Sequence, residues 1–63
     1  MDQLERAVRD GRRVALHRRG TEYVVVAEAI KAHGGREALL GRLPMTGEQL
    51  VFVLDDVDAF EVL

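Results

Sequence analysis

The segment QLVFVL at residues 49–54 alternates two apolar sets, Leu50, Phe52 and Leu54 on one side, Val51 and Val53 on the other. A strand that is apolar on both faces has to be covered on both. For a chain of 63 residues this is a severe demand, because a domain of that size buries only about 60% of its unfolded surface. One cover is the interior of a small sheet or barrel. The other is the N-terminal helix or a second copy of the chain.

Other staples are scarce. The sequence contains no cysteine, which excludes disulfides and thiolate metal sites. His17 and His33 have no partner at metal-ligand or triad spacing, so no metal and no cofactor is expected. Thirty residues are apolar, enough for an ordered core. Oligomerisation, or unusually good packing, is therefore the expected supplement to a small core. No apolar run approaches the roughly 20 residues of a membrane span, and the opening MDQLERAVRDGRR is charged and amphipathic, unlike a secretory signal. A cytoplasmic protein without membrane partners is expected.

Along the chain the pattern predicts one domain over residues 1–63, with a helix at 2–10 and a small β-barrel at 12–63. Asp2 and Glu5 stand in capping-box positions, Leu4, Ala7 and Val8 share a stripe, and Gly11 suits a left-handed helix end. In RRVALHRRG, Val14 and Leu16 point one way and Arg13, Ala15, His17 and Arg19 the other. Gly20-Thr21 suits a type II′ hairpin turn into the strand-prone run that starts at Tyr23. Residues 27–33 read either as a continuation of that strand, which is preferred, or as a helix ending at Gly34. REALLGRLPMTGEQLVFVL reads as a second hairpin with its turn at residues 44–47. Residues 55–58 read as a tight or 3₁₀ turn, and residues 59–63 as a short last strand with Phe60 and Val62 on one side. Consecutive short antiparallel strands with a turn before the last one describe a mainly β fold, a four- to five-stranded antiparallel SH3-like or Sm-like barrel behind a short helix.

The stretch from GRRVALHRRG through YVVVAEAI to GGREALLGRLPMTGEQLVFVLDDVDAFEVL resembles the barrel of WYL-type domains, with Phe52-Val53-Leu54-Asp55-Asp56-Val57 as its best piece. The resemblance covers residues 11–63. It implies an Sm-like barrel and, as in the bacterial regulators that carry such domains, binding of nucleic acid or nucleotide effectors. Val53 and Asp56 stand where that family carries Arg, so the residues that would meet a phosphate there are replaced.

Charge is unevenly spread. Residues 1–42 hold nine basic and six acidic side chains, a net +3, while residues 43–63 hold five acidic and none basic, a net −5. The halves either form a dipole in space or neutralise each other. Arg12, Arg13, His17, Arg18 and Arg19 form a candidate strip for a nucleic acid or another anion, or a solvated strand paired with carboxylates such as Glu22. Asp55, Asp56 and Asp58 lack the glycine and terminal Glu of a calcium loop. They read as turn chemistry, or, together with Val51 and Val53, as a self-association surface facing the Arg-rich part of a neighbour. The chain contains no Ser or Cys, and Thr21 and Thr46 fall in predicted turns. No nucleophile is set up, and an enzyme is not expected. The sequence thus points to a non-enzymatic interaction or accessory protein that forms a homo-oligomer, with a nucleic-acid- or nucleotide-binding module as the alternative.

Overall fold

The structure is a computed structural model that describes residues 2–63, with the side chain of Asp2, and so the predicted cap, outside the described residues. Helix α1 spans Asp2–Asp10 and strands β1 to β5 span Arg13–Arg18, Thr21–His33, Arg36–Arg42, Gln49–Val53 and Ala59–Val62. A 3₁₀ turn, Leu54–Asp56, links the last two strands. All neighbouring strands pair antiparallel in one open sheet of order β4-β3-β2-β1-β5.

The helix ends where its glycine stands. Gly11 has φ 64°, its N–H donates to the Val8 carbonyl at 3.2 Å, and the Arg12 N–H donates to the Ala7 carbonyl at 2.8 Å. This pair of bonds is a Schellman motif, which satisfies two carbonyls of the last turn. Leu4 and Ala7 on the helix's apolar stripe are fully buried.

The strand reading of residues 27–33 holds, and β2 runs for 13 residues. Its pairing shifts register between Ala27 and Ala29. That bulge reverses the alternation of side chains. Tyr23, Val25 and Ala27 face inward before it, and Ile30 faces inward after it, opposite Leu39. The same strand therefore serves one core through both of its hairpins. Leu4, Ala7, Val14, Leu16, Val25, Ala27, Leu39 and Phe52 form that core, and full burial of each of its larger side chains is worth about 1.5–3 kcal/mol.

Two expectations are corrected, and one residue is buried on the outer face where it was expected. The first hairpin turns on Arg19-Gly20 rather than Gly20-Thr21, because Arg18 pairs with Thr21 and both loop residues have positive φ, 52° and 79°. This is the type I′ geometry, whose twist matches that of the strands, and it holds a non-glycine residue in the costly left-handed region. Ala15 lies on the outer face yet is only 4% exposed, being flanked by Val24 of β2 and Glu61 of β5. Residue 54 opens the 3₁₀ turn instead of closing β4, and its carbonyl accepts the Val57 N–H at 3.1 Å.

Gly41 of β3 sits opposite Ala27 in a place with no room for a side chain. A Cβ there would lie 2.6 Å from Val25 Cγ2 and 2.9 Å from Val25 Cβ. Gly41→Ala is expected to lower stability by about 1–3 kcal/mol, as overpacking of a filled core does. In urea melts, adding Val25→Ala should cost less than the sum of the two single changes, because the truncated valine loses the Cγ2 that makes the closest contact and leaves only its Cβ to give way. Simple additivity would show that the glycine is not there for space.

Candidate functional site

The ladders assign every strand residue to a face. Leu50 and Phe52 of β4 point into the core, while Gln49, Val51 and Val53 stand on the outer face with Leu40, Arg42 and Ala38 of β3 beside them. Across the outer surface Val51, Leu40 and Ala29 make one row, and Val53, Ala38 and Lys31 the next. Helix α1 adds Leu4 and Ala7 to the inner core, so it does not cover these rows. Val51 is consequently 46% exposed. The second apolar face of β4, expected to need a cover, has none among the described residues.

The bulge residue Glu28 borders the apolar rows. Its Oε2 accepts a bond from Arg42 Nε and its Oε1 accepts one from Gln49 Nε2, both at 3.1 Å. This ladder ties β2, β3 and β4 together on the outer face. Sequence reasoning missed it, because only the register shift tells Glu28 which neighbours it has.

The five basic candidates do not share a face. Arg12 donates from Nε and Nη2 to the Leu63 carbonyl at 3.0 and 2.6 Å, which ties the start of β1 to the residue after β5. Arg13 begins β1 on the outer face, and its carbonyl accepts the Leu63 N–H at 2.9 Å. His17 lies 3.5 Å from Glu22 across the hairpin. Arg18 turns the other way. Its guanidinium carbon stands 5.0 Å from the centroids of both Tyr23 and Phe52, and its Nη2 lies 3.4 Å from the Tyr23 hydroxyl. Those two rings meet edge to face at 5.3 Å. Arg18 thus closes one end of the core as a cation over two aromatic faces. With Arg19, Thr21, Tyr23 and Asp56 it lines a shallow polar hollow at the hairpin turn.

The acidic candidates come to the same end of the molecule. Asp55 Oδ2 lies 3.9 Å from Arg36 Nε, Asp56 enters the hollow of Arg18 and Arg19, and the Asp58 N–H donates to the His17 carbonyl at 2.8 Å. The two charge halves of the sequence therefore meet within one chain. A carboxylate on the wall of the hollow lowers its attraction for a plain anion and gives it both an acceptor and two cations.

Among the described residues, no helix is long and apolar enough to cross a membrane. The chain matches no family model, no curated protein and no solved structure.

Removing the Arg18 cap should be felt in the core. Arg18→Ala is expected to cost about 0.5–2 kcal/mol, the range of a partly desolvated cation–π contact, and Arg18→Lys less, since its stem still covers Phe52. Urea denaturation monitored by Tyr23 fluorescence checks this. An unchanged midpoint for the alanine variant would place the guanidinium outside the core's energetics.

Proposed function

We propose that this protein is a small non-enzymatic interaction module that self-associates through β4 and the outer face beside it. The observation that carries the reading is the character of that edge. Gln49–Val53 contains no charge and no proline, and its central Val51 is 46% exposed in a row with Leu40 and Ala29. Edge strands of monomeric proteins are commonly blunted by charge, proline or a cover, because their free N–H and C=O groups template further pairing. A domain this small also gains most from added burial. A non-enzymatic role is supported by the absence of Ser and Cys, and by Thr46, whose Oγ1 accepts the Glu48 N–H at 3.2 Å within its turn.

The strand order, the bulged long β2 and the 3₁₀ turn before β5 support reading the sheet as that of an SH3-like or Sm-like small barrel. The resemblance to WYL-type domains accords with this. It also keeps a second reading, a nucleic-acid- or nucleotide-binding module, for which the hollow of Arg18, Arg19, Thr21 and Tyr23 is the supporting observation. Arg19 holds φ 52° there, where Asn or Gly would be less strained.

Sedimentation velocity from micromolar to near-millimolar protein tests the first reading. The mass is expected to rise with concentration, and Val51→Lys to hold the chain monomeric while shifting stability by no more than about 0.5 kcal/mol. A wild-type chain that stays monomeric throughout overturns it. The second reading requires fluorescence anisotropy with labelled single- and double-stranded DNA, RNA and nucleotide at low salt. Electrostatic binding is strongest there, so binding weakened by Arg19→Ala supports it and no binding removes it.

A further inference from the structure

Resting on the self-association reading, we infer that the contact is isologous: two β4 strands pair antiparallel about Val51, joining the two sheets edge to edge through a second copy of the chain. The alternative edge is poorly suited. β5 has four residues against five in β4, and it carries Glu61. Arg6 and Asp10 of α1 line one hollow with Phe60, Glu61 and Val62, so further charge lies beside that edge. Among the described residues, β4 pairs only with β3.

Self-complementarity fixes the register. With the two-fold axis at Val51, all five residues of β4 enter the new ladder. Val51 faces Val51 of the second copy, Gln49 faces Val53, and Leu50 faces Phe52. Just outside the strand, Glu48 comes opposite Leu54 and Gly47 opposite Asp55, so no charge meets its like. Moving the axis to Phe52 sets Glu48 against Asp56 of the second copy. Moving it to Leu50 draws Gly47, a turn residue at φ 77°, into the ladder. Only the Val51 axis makes the outer row Ala29, Leu40 and Val51 run straight into the same three residues of the second copy. The result is one uninterrupted apolar stripe across both sheets.

The absence of native cysteine makes the test direct. Val51→Cys places two thiols on the axis, where antiparallel partners have Cα atoms about 4.5–5.5 Å apart, within the span a disulfide accepts. Under mild copper-catalysed air oxidation this variant should become a covalent dimer and stop there. It should do so about tenfold or more faster than Met45→Cys, because pairing raises the effective thiol concentration. Met45 is a fit control, being 94% exposed and off the axis. If wild-type protein associates in sedimentation but Val51→Cys reacts no faster than Met45→Cys, the isologous geometry is wrong and self-association stands. If wild-type protein is monomeric and Val51→Cys also shows no preference, the underlying reading fails with it.

Discussion

A 13-residue strand that turns hydrophobic residues into one core from both of its ends needs its alternation to slip once. β2 slips between Ala27 and Ala29. Without the slip, Val25 and Ile30 would point to opposite faces, since five positions separate them and the side-chain period of a strand is two. With it, both face inward, Val25 against β1 and Ile30 against β3, and the core can be continuous from Val14 to Phe52. The extra residue is Glu28, whose carboxylate finds Arg42 and Gln49 on the outside. One irregularity thus sets the inner packing and marks the boundary of the outer apolar rows.

The inner face is then closed by very little material. Leu4 and Ala7 of a nine-residue helix complete the core, and Arg18 covers the Tyr23–Phe52 end. Among the described residues nothing comparable is left for the outer face. Flanking strands shield Ala15 and Ala38 there, since a methyl group is short enough to be covered by its neighbours. Val51 is larger and lies on an edge, so it has neighbours on one side only. Its exposure follows from strand order as much as from residue type. The same valine in a central strand would have been shielded on two sides.

Much of this architecture is legible in the residues themselves. The helix at 2–10, its end at Gly11 and the hairpins follow from local patterns, because capping, turn chemistry and alternation act over a few positions. Residues 27–33 are different. Ala27, Glu28, Ala29, Lys31 and Ala32 are good helix formers, and pairing with β3 overrides that propensity. The bulge is invisible for the same reason, since it exists only relative to a partner strand. The first turn is displaced by one residue because register, set by Val14 opposite Val25, forces Arg19 into the left-handed conformation. Of the candidate site residues, the alternation correctly separates Arg13 and His17 from Leu16. It carries no information that Arg18 would find two rings, one of them from β4.

The charge asymmetry acquires its meaning only in three dimensions. Asp55, Asp56 and Asp58 follow β4 directly, and strand order returns this turn to the hairpin ends that carry Arg18, Arg19 and Arg36. Arg36 and Asp55 thereby meet at 3.9 Å as an exposed and individually weak pair, and Asp56 shares the hollow of Arg18 and Arg19. What remains between them is an uncharged edge. Association there would rest on apolar burial and backbone pairing, both little affected by moderate salt, whereas any ligand held by Arg18 and Arg19 would be released as counterions compete. The two surfaces therefore answer to different solution variables, and a salt series separates them even in a single preparation of the unmodified protein.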